Sequence, residues 1–242
     1  MDQCVTAFDE LGDKRTLATA LYWHAVCEAN LGSYADARAS ADRAMRAAQE
    51  TADRQTESLA QRLLAIAQAN LPDHRNDAVT SAEQTLALAR GLGEPAFEHE
   101  VLHTVAHVYN LTGRHEGALH LCEDGLGLAR DLGVRVATAD WLGITGDPYY
   151  GLGRYHEAAE SLRSALPIYR DHFMHRHHAL CLLKMGYAYQ AVGDYQAAIP
   201  HLDESLGIFD KLQLGHFAER ARGALDACRS SQRAASDHPC GG

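Results

Sequence analysis

Lysine is nearly missing from this chain. There are three lysines in 242 residues, and acidic residues outnumber all lysines and arginines 32 to 22, for a formal net charge of −10. A surface that tracks phosphates needs clustered Lys and Arg. No basic stripe occurs, which argues against direct nucleic-acid contact by this segment. Aromatics are scarce at 7%, a profile that suits close-packed helices and not sheet. No apolar run is long enough to span a bilayer and no leader is evident, so membrane association is not expected and a cytoplasmic protein is. The six cysteines, Cys4, Cys27, Cys122, Cys181, Cys228 and Cys240, form no CxxC pair. They read as reduced thiols rather than a disulfide framework. Nucleophile elbow, P-loop, dinucleotide fingerprint, HExxH and paired-carboxylate motifs are all lacking. The chain is therefore not expected to be an enzyme, nor to hold a cofactor or metal.

What is present is a period. Ala37, Ala78, Ala118, Ala158 and Ala198 stand at nearly constant spacing, about 40 residues apart, the mark of a helical repeat array. Each repeat reads as helix A, a turn, then helix B. Four turns carry glycine, at Gly32, Gly113, Gly153 and Gly193, where the chain needs a backbone conformation other residues reach only with strain. In the second repeat Leu71-Pro72-Asp73-His74-Arg75 supplies turn formers instead. Before each turn, helix A places Val26, Ile66, Ala106, Gly146 and Gly186 at one position, and Ala29, Ala69, Tyr109, Tyr149 and Tyr189 three residues on. The small residue lets helices approach and the larger one fills the gap a turn later. Pro148, Pro167 and Pro200 fall inside helices of the fourth and fifth repeats and are expected to bend them.

This pattern resembles the tetratricopeptide repeat (TPR). The last repeat matches best, through Leu182, Met185-Gly186, Tyr189, Gly193-Asp194-Tyr195, Ala198 and Leu206. The usual repeat is about 34 residues long, and the spacing here is longer, at about 40. The resemblance implies an all-α, right-handed superhelix (α-solenoid) of about five helix-turn-helix repeats plus a C-terminal capping helix. Five TPR units are expected over 13–212 (13–52, 53–93, 94–133, 134–172 and 173–212). Residues 1–12 read as a partial repeat helix or an N-terminal cap, 213–230 as the capping helix and 231–242 as a disordered tail.

In that architecture helices A line the concave face. By this register the groove would present Trp23, Leu63, His103 and Tyr187, with His107 and Asp147 beside them. Asn30, Asn70 and Asn110 recur with the same period, and Tyr150 and Gln190 continue the series. A carboxamide both donates and accepts, so such a ladder suits a peptide backbone. The other reading of those asparagines is helix C-capping near the turn. Trp23 reads either as a partner anchor or as packing, and Trp141 as core. His99, His103 and His107 follow at i, i+4 and i+8, a stripe taken as polar lining and not as a metal site. No cation occupies the inward positions by which some TPR domains grip a C-terminal carboxylate.

The long repeat and the Arg/Ala bias resemble the C-terminal arrays of actinobacterial antibiotic-regulatory-protein transcription activators. That resemblance implies a protein- or peptide-binding regulatory module, the C-terminal sensor or interaction domain of a larger bacterial transcriptional regulator. Its partner would be a protein, a peptide or another domain of the same protein. The alternative is a general scaffold or a self-association module forming a homo-oligomer.

Overall fold

The computed structural model describes residues 6–8, 10–92 and 94–237, which fall into two compact units, one within residues 1–114 and one within 115–242. All regular structure among the described residues is helical. Unit 1 holds α1 (Lys14–Asn30), α2 (Tyr34–Glu50), α3 (Arg54–Ala69), a 3-10 turn (Pro72–His74), α4 (Arg75–Leu92) and α5 (Pro95–Leu111). Unit 2 holds α6 (His115–Asp131), α7 (Arg135–Gly151), α8 (Tyr155–Asp171), α9 (His175–Ala191), α10 (Tyr195–Lys211) and α11 (Gly215–Asp237). The division falls after Arg114, inside the third sequence repeat and not between repeats.

The turns explain where helices stop. At each A-to-B junction with glycine, that glycine is left-handed: φ is +80° at Gly32, +82° at Gly113, +74° at Gly153 and +77° at Gly193. Pro72 instead starts a 3-10 turn, and Leu71 before it is extended (φ −105°, ψ 116°), as a residue preceding proline should be. The B-to-A junctions use the same left-handed device without always using glycine. Gly133 has φ +67°, but the equivalent positions are Ala52 (φ 54°), Phe173 (φ 56°) and Gln213 (φ 56°). A side chain there costs about 1–2 kcal/mol. Phe173 is also 78% exposed, so little packing offsets the strain. Phe173→Gly is expected to raise stability by about 1 kcal/mol, measured by urea denaturation.

Helix starts are set by side chains. Asp13, Asp53 and Asp194 each accept the backbone N–H three residues on, from Thr16, Thr56 and Ala197 at 3.0–3.2 Å, satisfying a donor the helix leaves open. The hydrogen bonds depress the Asp13 and Asp53 carboxyl pKa values, with Arg15 adding to the effect at Asp53.

Packing rests on small residues. The marker alanines are fully buried. Gly146 and Gly186 are where α7 and α9 take the leucine of the following helix. A Cβ on Gly146 would lie 2.7 Å from Leu162 Cγ, and one on Gly186 would lie 2.4 Å from Leu202 Cδ2. Trp141 is completely buried with its indole against Gly125, where an added Cβ would meet Cζ2 at 2.1 Å. The core of unit 2 continues from Leu183 and Leu202 through Phe209 to Ala221, Leu225 and Cys228 of α11.

One expectation is corrected here. Residues 231–237, expected as disordered tail, extend α11 to Asp237; 238–242 lie outside the described residues. Pro148, Pro167 and Pro200 all sit within continuous helices. Pro167 and Pro200 face solvent, where water can satisfy the carbonyl that each proline leaves unbonded. At the other end, 6–8 and 10 are helical and lead into a turn at Gly12 (φ +71°); residues 1–5 and 9 are outside the described residues.

Candidate functional site

The first helices of successive hairpins pack on one another, α1 with α3 and α3 with α5 in unit 1, α7 with α9 and α9 with α11 in unit 2. One face of each unit is therefore built from helices A. In unit 2 this face carries a cavity of about 130 Å³ lined by Asp147 and Tyr150 of α7, Lys184 and Tyr187 of α9, and Arg220 of α11. The spacing explains the convergence. Asp147 and Tyr150, and Lys184 and Tyr187, each stand three residues apart and share a helix face. The floor is Gly146, Ala158 and Leu162, the close packing already described.

Lys184 Nζ lies 2.7 Å from Asp147 Oδ2. The Arg220 guanidinium stands 6.0 Å from the Tyr187 ring centroid. Tyr150 packs edge-on against Tyr155 at 5.1 Å and keeps 43% of its surface exposed. Burial, then the neighbouring Tyr155 and Tyr187, raise its hydroxyl pKa, so it remains a neutral donor and acceptor. The site thus offers two aromatic surfaces, two cations and one carboxylate that is already paired.

Of the residues the sequence pointed to, Asp147, Tyr150 and Tyr187 meet here. Gln190, half-buried in α9, is not part of the lining. The others lie in unit 1. Trp23 is 55% exposed and packs edge-on against Tyr22 at 5.1 Å. Leu63, His103, His107 and Asn110 are half-buried, and Asn30 is exposed at the end of α1. Asn70 follows the last residue of α3 and donates its amide to the Ile66 carbonyl at 2.8 Å. That fits the capping reading of this asparagine, and it uses one of the two amide donors that a peptide ladder would draw on. Arg62 joins neighbouring helices A, with Nη1 2.7 Å from Glu100 and Nε 3.0 Å from Thr104.

Sequence reasoning missed Lys184 and Arg220. Lys184 is one residue past the inward stripe, and Arg220 belongs to the helix after the last repeat. His177 and His178, at the start of α9, are half-buried. His177 stacks on Tyr169 at 5.4 Å, and His201 on Tyr189 at 5.7 Å. Burial is the first cause that lowers the pKa of His177, His178 and His201 below the ordinary 6.5. Asp140 opposes it at His177 and Glu204 at the other two; Arg176, Arg170 with His175, and Arg163 respectively reinforce it. The unfolded chain thus binds protons that the folded chain does not, so stability rises with pH across that range. The melting temperature is expected to fall as pH drops through and below about 6.5, and His177→Gln to flatten the slope. A pH-independent melt would contradict this.

Burial pushes the Cys122 and Cys181 thiols up to about 12, which keeps both protonated and poor nucleophiles. Among the described residues no three His, Cys, Asp or Glu side chains gather as a metal site, and no helix is long and apolar enough to cross a membrane.

Helical hairpins repeating at a constant period, with one face built from helices A, define a helical-repeat protein of tetratricopeptide architecture. Residues 98–171 match the tetratricopeptide repeat family, whose members mediate protein–protein interaction. No curated protein matches the chain by sequence. Among solved structures, a Rap protein complexed with competence and sporulation factor aligns with TM-score 0.75 at 16% identity, over 90% of this chain and 65% of that one. The apo form of RapI aligns with TM-score 0.65 at 14% identity, over 91% and 84%. A signal transduction ATPase with numerous domains (STAND) from Pyrococcus horikoshii, with a tetratricopeptide repeat sensor, aligns with TM-score 0.61 at 18% identity. The match covers 89% of this chain but only 33% of the STAND protein.

Proposed function

We propose that this chain is a protein- or peptide-binding regulatory module that holds an extended segment against its helix-A face. It would serve as the cytoplasmic, non-catalytic sensor or interaction domain of a larger bacterial transcriptional regulator. The observation that carries this reading is the α7–α9–α11 cavity. Tyr150 and Tyr187 offer rigid aromatic surface, the kind of anchor that dominates interfaces. Lys184 and Arg220 give it a cationic edge on a chain that is otherwise acidic. The segment it suits carries an apolar or aromatic side chain beside an acidic group. The fold is shared with a Rap protein complexed with competence and sporulation factor and with a STAND protein with a tetratricopeptide repeat sensor, and both are compatible with such a role.

The test uses peptides selected from a random library on the immobilised chain. Their affinity is measured for the natural chain, Tyr187→Ala and Arg220→Ala. Each substitution is expected to weaken binding about tenfold or more, equivalent to about 1.4 kcal/mol, with the circular dichroism unchanged. Equal affinity for all three proteins would overturn the proposal. Mass that rises with concentration in light scattering, and that peptide does not suppress, would favour self-association instead.

A further inference from the structure

A second cavity lies on the other side of α7. It measures about 240 Å³ and is bounded by α6, α7 and α8. Leu126, Leu142, Thr145 and Tyr149 form its walls, Cys122 is at the base, and Glu123, Glu157 and Glu160 stand round it. It is smaller than the roughly 300–1,000 Å³ of a drug-sized ligand site and suits a single long side chain.

The repeats supply their own comparison, because each groove position recurs one period further along the chain. In the preceding repeat, Glu83, Tyr109 and Arg114 replace Glu123, Tyr149 and Arg154. There the Tyr109 hydroxyl donates to Glu83 at 2.7 Å, Arg114 Nη1 is 3.6 Å from the same carboxylate, and the guanidinium stands 5.6 Å from the Tyr109 ring centroid. In the following repeat Arg163 takes the place of Glu123 and donates to the Tyr189 hydroxyl, while His201, in the place of Ser161, stacks on the same tyrosine. Both neighbours thus have their tyrosine hydroxyl bonded within the chain and an arginine of the chain beside it.

The middle position differs for a reason visible in the sequence. Glu157 stands where the neighbours have Gly117 and Ala197. Arg154 pairs with it instead of with Glu123, with Nε 2.9 Å from Glu157 Oε1 and the guanidinium over the face of Tyr149 at 4.6 Å. Glu123 keeps only a loose contact with exposed His120, at 3.6 Å. Among the described residues Glu160 has no ion pair, and the Tyr149 hydroxyl has no hydrogen bond. Three carboxylates therefore surround an apolar slot with one guanidinium among them, already paired.

We propose that the α6–α7–α8 groove is a second docking site, on the side of α7 away from Asp147 and Tyr150, and that it takes an arginine side chain from an exposed segment of a partner protein. The methylenes lie along Leu126 and Leu142, and the guanidinium reaches Glu123, Glu160 and the Tyr149 hydroxyl. A guanidinium fits better than an ammonium because it is planar and can bond two carboxylates at once.

The test titrates the isotope-labelled full chain with N-acetyl-arginine amide and with its lysine and citrulline counterparts, read by NMR at the amides of 123, 149 and 160. The arginine compound is expected to give saturable shifts, the lysine compound weaker binding by about threefold or more, and neutral citrulline none. Glu123→Arg, which reproduces the following repeat, is expected to abolish the arginine shifts without loss of helicity. Glu160→Gln is expected to weaken them. Tyr187→Ala, on the other face, should leave them unchanged, so the two sites stand or fall separately. Undiminished binding to Glu123→Arg, or equal binding of citrulline, would overturn the proposal.

Discussion

Replacing Trp141 with alanine is expected to destabilise unit 2 by about 3–5 kcal/mol, a drop in melting temperature of about 6–20 °C. The indole is completely buried and rests on the Cα of Gly125. Removing it leaves a cavity between α6 and α7 that nothing nearby can fill, because the opposing residue has no side chain to extend. The reciprocal change, Gly125→Ala, drives a methyl into the ring and costs about 1–3 kcal/mol. The two together should cost less than their sum, since each removes the other's clash or void. Urea denaturation followed by circular dichroism reads all three. Additive losses would mean that the indole and Gly125 are not in contact.

Gly186→Val should be nearly as damaging. Its Cβ would fall 2.4 Å from Leu202 Cδ2 and 2.5 Å from Cγ, both core atoms with no room to retreat. A loss of about 3 kcal/mol or more is expected, the upper end for overpacking. Leu202→Ala alone should cost about 2–5 kcal/mol. The double variant should recover part of this, because the chain already uses the swapped arrangement. The positions equivalent to Gly186 and Leu202 hold Ile66 with Ala82 and Val26 with Ala41. Large faces small in these three pairs, with the roles reversed between the two ends of the chain. A coupling of about 1–3 kcal/mol in the double-mutant cycle is the expected result; no coupling would show that the two sites do not share a space.

These pairs also show what the sequence made legible. The repeat period, the hairpin turns at Gly32, Gly113, Gly153 and Gly193 and the buried marker alanines could all be read directly, because each depends on a residue type with one physical use. The B-to-A turns were opaque. Ala52, Phe173 and Gln213 adopt a left-handed backbone that their side chains do not favour, and only the surrounding helices impose it. The length of α11 was hidden by Ser231 and Ser236, which read as tail although the helix runs on to Asp237.

At the candidate site, counting along helix A found Asp147, Tyr150 and Tyr187. It missed Lys184 and Arg220, because a face shared by three helices collects residues from either side of a single stripe. The asparagine series fared differently. Its period is real, but Asn70 bonds its own helix, a role that spacing alone cannot distinguish from waiting for a ligand. The open α6–α7–α8 groove depends on two differences between repeats: Glu157 pairs with Arg154, whose counterpart Arg114 serves Glu83 in the preceding repeat, and Glu123 stands where the following repeat has Arg163.

On the proposed function, a partner segment lies on the helix-A face of unit 2. The most direct measurement is a structure of the chain bound to a selected peptide. The predicted result places the peptide across α7, α9 and α11, in contact with Tyr150 and Tyr187 and with an acidic group near Lys184 or Arg220. A peptide bound elsewhere, with that cavity unchanged and empty, would contradict it.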